Sequence, residues 1–202
     1  RGKPTNHIVY GEGTAILVGD ALLTEAFSLL TRPDHAPGLS AENRLCVISE
    51  LASAAGMNGM VLGQFLDLQS EKSPKIGMRR LRAIHQNKTG ALITASVRIG
   101  AILGEATPHQ MKRLTEYGKK IGLAFQIMDD LLDVLGEESK LGKSVRQDQA
   151  KNKWTYPRQM GIQRSKQEAH RLTHSALAAL DSFGPAANPL RWIALYSVNR
   201  KS

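Results

Sequence analysis

Apolar and polar positions along the chain follow a helical rather than an alternating rhythm. Residues 12–31 (EGTAILVGDALLTEAFSLLT) space their apolar side chains three and four apart and stop before RPDHAPG, whose prolines and glycine end a helix. A second helix is expected over 40–69, with Ser40 as N-cap and Glu42 in its first turn, broken afterwards by Pro74 and Gly77 in SEKSPKIG. A third covers 78–103. A fourth opens at Thr107, a capping residue ahead of Pro108 in the first helical position, and runs to about 135. Residues 136–157 (GEESKLGKSVRQDQAKNKWTYP) are polar and basic and read as a loop; a loop of that length in a compact domain is usually either functional or a misread element. Helices over 162–183 and 188–200, separated by FGPAANP, complete the pattern. No stretch alternates as a half-buried strand would. The prediction is an all-α protein forming a single domain over residues 1–202.

Small residues are dense in the first helices, at Ala15, Gly19, Ala21, Ala52, Ala54, Ala55, Gly56, Gly59 and Gly63. A glycine inside a helix costs up to about 1 kcal/mol relative to alanine. Such density predicts that backbones, or a ligand, approach closely there.

Composition narrows the classes. The chain is 42% hydrophobic and 22% charged, as expected of a globular domain with a sizeable core. Cys46 is the single cysteine, which leaves no disulfide framework and fits a reducing, cytoplasmic compartment. No run of about eighteen uninterrupted apolar residues occurs, so no stable membrane span is expected, and the opening RGKPTNH has no apolar signal core. A net charge of +9 raises nucleic acid as a partner. Against it, the basic residues are spread along the chain, aromatic content is 5%, and no zinc spacing or RNP-type segment is present, so no nucleic acid is expected. A distributed positive excess serves phosphate-bearing small molecules equally well.

The candidate chemistry lies in LAFQIMDDLLDVLG (123–136). Gln126, Asp129, Asp130 and Asp133 stand at offsets zero, three, four and seven, which places them along one face of a helix. Like charges one turn apart repel, and a hard divalent cation with oxygen ligands, magnesium above all, removes the repulsion. The bland alternative is an ordinary solvated acidic face. Three further stretches supply matching groups. Gln64 and Asp67 share a face in LGQFLDL, and His85, Lys88 and Thr89 form an i, i+3, i+4 set in HQNKTGALI. Lys143 and Lys153 flank the long loop. Each has a bland alternative of its own, yet together they offer carboxylates for metal and cations for phosphate on facing helices of a bundle.

These residues resemble a known family. FQIMDDLLD, with its D-D-x-x-D, is similar to the second aspartate-rich motif of the trans-prenyltransferases. GQFLDL, HQNKTGALI, LGK and NKWTYP resemble that family's other signatures in the same order, while YGEGTAILVGDALLTEAF and YSVNRKS resemble its short-chain bacterial branch. The resemblance implies an isoprenoid-synthase-type helical bundle with a central cavity, usually a homodimer, in which Mg2+ and an allylic diphosphate meet. The diphosphate ionises, and the double bond of isopentenyl diphosphate attacks the resulting cation. It implies metal contacts for Asp129, Asp130 and Asp133, with Asp129 the most direct. It implies diphosphate contacts for Lys88, Lys143 and Lys153, isopentenyl diphosphate binding for Arg1, and positions beside the cation for Thr89 and Gln126. Gln64 falls in the motif that lines the cavity, with Asp67 orienting nearby cations.

Two departures from the family shape the expectations. The family's first aspartate-rich motif stands just ahead of the position of Arg1, so these 202 residues correspond to the C-terminal two-thirds of the bundle without its opening helices. The expectation is that they bind diphosphate weakly and do not turn over alone. Arg146 stands where the family usually has glycine, which changes the loop around Lys143 or adds a phosphate contact. Competing readings are a non-catalytic partner subunit, against which the retained aspartates and lysines argue, and an ionisation-initiated terpene synthase, against which the NKTGALI and NKWTYP motifs argue.

Overall fold

The computed structural model describes residues 2–35, 37–141 and 154–199, which are helical with no strand among them. In chain order the helices are α1 (Asn6–Tyr10), α2 (Glu12–Thr31), α3 (Ala41–Ala55), α4 (Met60–Glu71), α5 (Met78–His85), α6 (Ala91–Leu103), α7 (Pro108–Leu141), α8 (Tyr156–Met160), α9 (Ile162–Ala178) and α10 (Asn188–Asn199). A π-helical turn, Gln86–Gly90, joins α5 to α6 without a break. The expected all-α architecture is what the chain adopts.

The chain divides into two compact units, residues 1–49 and residues 50–202, with the boundary inside α3. In the first unit, Gly11 at φ 84° lets α2 start immediately after α1, a conformation that side chains with a Cβ rarely take. The C-terminal end of α2 is closed by Arg44, whose guanidinium donates to the carbonyls of Leu30 at 2.6 Å and Arg32 at 3.0 Å. Ser40 caps α3 as expected, accepting the Asn43 N–H at 3.1 Å. Ile16, Leu17 and Leu22 on α2 are strongly exposed. By length and composition, Glu12–Thr31 and Ala41–Glu71 are apolar enough to cross a membrane. In the first of these, Asp20 sits near the helix centre, where a charge costs roughly 3 kcal/mol in lipid. The second is interrupted at Gly56–Gly59.

In the second unit α7 is the axis, packed by α6, α9, α10, α5 and α8. Its start is a reciprocal capping box: the Thr107 N–H donates to Gln110 Oε1 at 2.9 Å and the Gln110 N–H to Thr107 Oγ1 at 3.3 Å. Leu81, Ile84, Ile121, Ala124, Ile127 and Leu131 build the core with Ala169, Ala176 and Leu180 of the α9 side. Tyr117 anchors α10 by donating its hydroxyl to the Leu190 carbonyl at 2.7 Å, and burial pushes its pKa up to about 12.

The structure departs from the periodicity reading in three places. The helix expected over 40–69 is two, because the chain turns at Gly56–Gly59. A Cβ on Gly59 would lie 2.1 Å from the Ala54 carbonyl oxygen, so only glycine closes that turn. The helix expected over 78–103 contains the π turn, whose wider winding rotates Lys88 and Thr89 away from His85. The fourth helix runs to Leu141 rather than to about 135.

Glycines also set how closely the helices approach. A Cβ on Gly63 of α4 would fall 2.0 Å from the Lys88 backbone nitrogen, and one on Gly122 of α7 would fall 2.9 Å from Gly90 Cα. The π turn is therefore pressed between α4 and α7 backbone to backbone. Gly63→Ala is expected to lower unfolding free energy by at least about 2 kcal/mol, since the atoms met are backbone and cannot yield. Gly100→Ala in α6, with open space around its Cβ, should instead gain about 0.5–1 kcal/mol. Urea denaturation of the two variants against the wild type checks the contrast; equal effects would mean the close approach is not required.

Candidate functional site

The π turn, α4 and α7 bring most of the predicted polar residues together. Lys88 Nζ donates to Asp67 Oδ2 of α4 at 2.6 Å, with the lysine side chain 35% exposed and the aspartate 14%. Thr89 Oγ1 donates to Gln126 Oε1 of α7 at 2.9 Å. With its oxygen engaged there, the Gln126 amide turns its Nε2 toward Asp129 Oδ2 and Asp130 Oδ1, both at 3.4 Å. Gln64 is exposed on α4, one turn before Asp67. An ammonium, a hydroxyl, an amide and carboxylates thus share one region.

The acidic stripe is not uniform. Asp129 is half-buried and Asp133 exposed, whereas Asp130 is 1% exposed. Asp130 Oδ2 receives His85 Nε2 at 2.9 Å and the Tyr156 backbone N–H at 3.0 Å. The single face drawn from the spacing is therefore two lines: Asp129 and Asp133 outward, Asp130 inward. His85, grouped with Lys88 and Thr89 by spacing, is turned into the core beside Asp130. Tyr156 stacks on it with ring centroids 5.4 Å apart, and burial holds the Tyr156 hydroxyl above the usual tyrosine range while Arg82 opposes the shift.

Among the described residues no group of three or more His, Cys, Asp or Glu side chains is arranged to hold a metal ion. The donor chemistry nevertheless suits magnesium, which takes one or two carboxylates and completes its shell with water and phosphate oxygens. Asp129 and Asp133, one turn apart, offer that. Arg1, Lys143, Lys153 and Arg146 lie outside the described residues. An apolar cavity of about 880 Å³ lies between α6, α7 and α10, walled by Ile93, Val97, Leu114, Tyr117 and Leu190; Ile93 follows Thr89 by one turn.

Comparison with known proteins settles the family. The polyprenyl synthetase profile matches residues 1–182. The chain belongs to the polyprenyl synthetase family. It is 44% identical over 207 aligned positions to farnesyl diphosphate synthase of Haemophilus influenzae, covering 100% of this chain and 68% of that protein. It is 44% identical over 200 positions to geranylgeranyl pyrophosphate synthase 3, chloroplastic, of Arabidopsis thaliana, covering 97% of this chain and 55% of that protein. Among solved structures it resembles an FPP/GFPP synthase of Zymomonas mobilis, with TM-score 0.86, 37% identity and coverage of 98% of this chain and 65% of that one. It also resembles a geranyltransferase of Helicobacter pylori complexed with magnesium and isoprenyl diphosphate, with TM-score 0.77, 34% identity and coverage of 98% and 63%. This polyprenyl synthetase chain thus spans between about half and two-thirds of the length of these relatives.

Within the candidate site of this polyprenyl synthetase chain, two partners escaped the reading of spacing: His85 as the neighbour of Asp130, and the Tyr156 N–H. A signal for His85 was present. Leu81, Ile84 and His85 stand at i, i+3, i+4, the buried face of α5, and a buried imidazole needs a hydrogen-bond partner. The Tyr156 N–H carries no comparable signature. For the Lys88–Asp67 pair, a double-mutant cycle with Lys88→Met and Asp67→Asn should give a coupling of about 0.5–1 kcal/mol at low salt, shrinking as salt rises. Denaturation midpoints in low and high salt measure it. Zero coupling at low salt would show that Asp67 does not hold the lysine.

Proposed function

We propose that this chain serves prenyl transfer between an allylic diphosphate, dimethylallyl or geranyl, and isopentenyl diphosphate, giving a farnesyl- or geranylgeranyl-type diphosphate. The observation that supports it most is the convergence of Lys88, Thr89, Gln126 and Asp129 from the π turn and α7, in a chain 44% identical to a farnesyl diphosphate synthase. In the reaction the C–O bond to the diphosphate breaks with its electron pair leaving on oxygen. The isopentenyl double bond then forms the new C–C bond, and a proton is lost from the adjacent carbon. Negative charge grows on the departing diphosphate, so cations fixed near it accelerate the step. Lys88 supplies one such cation, held against Asp67 until a stronger anion arrives. Lys143 and Lys153 belong to the same role, and Arg1 to isopentenyl diphosphate.

Mg2+, when bound, would be held by Asp129 and Asp133 and would neutralise diphosphate oxygens as a Lewis acid. Thr89 and Gln126 place polar oxygens beside the reacting carbons, with Gln64 lining the approach. The apolar wall beginning at Ile93 suits an aliphatic chain and keeps water from the cation. A cytoplasmic homodimer is part of this proposal, supported by the exposed apolar side chains of α2, which a partner copy would bury.

Calorimetric titration of magnesium and inorganic pyrophosphate tests the site. Asp129→Ala is expected to abolish magnesium-dependent pyrophosphate binding while far-ultraviolet circular dichroism stays unchanged. Unaltered binding would mean that the aspartates are an ordinary solvated face.

A further inference from the structure

We propose that His85 is a positioning residue for the diphosphate site, acting through the buried carboxylate of Asp130 to hold the π turn, α7 and α8 in register. The proposal rests on the diphosphate-binding reading given above.

Asp130 is 1% exposed and His85 5% exposed. A carboxylate so far from water is tolerated only when hydrogen-bond donors replace its hydration. Three donors converge on Asp130: His85 Nε2 at 2.9 Å, the Tyr156 N–H at 3.0 Å and Gln126 Nε2 at 3.4 Å.

The origin of those donors matters more than their number. His85 is the last residue of α5, and the next residue begins the π turn that carries Lys88 and Thr89. Tyr156 is the first residue of α8. Asp130 itself is the neighbour of Asp129 on α7. One inward-facing carboxylate therefore ties together three segments, two of which present their outward groups to the same region. A π turn is a rare, single-turn departure from the α-helix, and here it is fixed by what packs on it. The bare Gly63 backbone supports it on the α4 side, and His85 fixes its start. The His85 ring cannot pivot away from the carboxylate, since Tyr156 stacks on it at an interplanar angle of 20°. Gln126 links the inner network to the outer one, because the same amide group accepts from Thr89 and donates toward Asp129.

The proposal predicts that loss of the His85 hydrogen bond loosens Lys88 and Asp129 relative to one another. The test compares His85→Leu and His85→Gln in the purified chain by two measurements: thermal unfolding, and calorimetric titration of magnesium with inorganic pyrophosphate. Glutamine carries an amide nitrogen at the distance of Nε2 and can still donate to Asp130, although it lacks the stacked ring. Both variants should melt earlier than the wild type. His85→Leu should weaken magnesium-dependent pyrophosphate binding by about tenfold, the lower end of what supporting hydrogen bonds around a metal site contribute, and His85→Gln should recover most of it. Because His85 acts through Asp130 and not through a metal ligand, binding by His85→Leu equal to the wild type, or equal loss in both variants, overturns the proposal. If His85→Leu fails to melt cooperatively, His85→Asn replaces it, since its shorter amide falls short of Asp130 Oδ2. Asparagine and glutamine variants of equal affinity would then overturn it. A wild-type chain that binds no pyrophosphate would instead sink the diphosphate reading itself, and the proposal with it.

Discussion

The second unit depends on one buried carboxyl group. Asp130 lies on the central helix of its bundle, in a position where an unpaired carboxylate would cost several kcal/mol. Satisfying it requires the end of α5 and the start of α8 to converge on the same oxygen, Oδ2, while Gln126 approaches Oδ1. Once they do, little freedom remains for what lies just outside: Lys88 and Thr89 on one side, Asp129 and Gln126 on the other. In the proposed reading, the diphosphate-binding face is organised from within, by a group that does not itself face the substrate.

The second constraint is the absence of side chains where helices meet. Gly63 against Lys88 and Gly122 against Gly90 bring α4, the π turn and α7 into backbone contact. This proximity lets Asp67 reach Lys88 at 2.6 Å and Thr89 reach Gln126 at 2.9 Å. Larger residues at those glycines would separate the helices and with them the polar groups. Helix-breaking cost at the glycines is offset by the contacts they permit, a balance common where a fold gives precedence to a site.

Much of this was legible in the order of residues. The helical period, the Ser40 and Thr107 caps and the alignment of Gln126 with Asp129 along one helix follow from spacing, because helix geometry maps sequence offset onto angle. The small residues likewise announced close packing at Gly59 and Gly63, but not on α2, where a Cβ on Gly19 would meet nothing within 4 Å. What spacing could not show was the sorting of adjacent aspartates. Asp129 and Asp130 differ by a single step of about 100° on the helix, and which of them faces inward depends on His85 and Tyr156, residues distant in the chain. The π turn was equally hidden: one wider turn has no compositional mark, yet it rotates Lys88 and Thr89 away from His85. The split of 40–69 at Gly56–Gly59 was signalled by two glycines and an asparagine, but small residues serve packing as often as turning.

The relation between inner and outer aspartates is the claim that most distinguishes this structure from the motif read as a string of equivalent ligands. A crystal structure of the chain with manganese and inorganic pyrophosphate, phased to reveal the anomalous signal of the metal, tests it most directly. The account predicts manganese at about 2.1 Å from carboxylate oxygens of Asp129 or Asp133, with Asp130 still bonded to His85 and to the Tyr156 N–H. Manganese coordinated by Asp130, with the His85 contact broken, would contradict it.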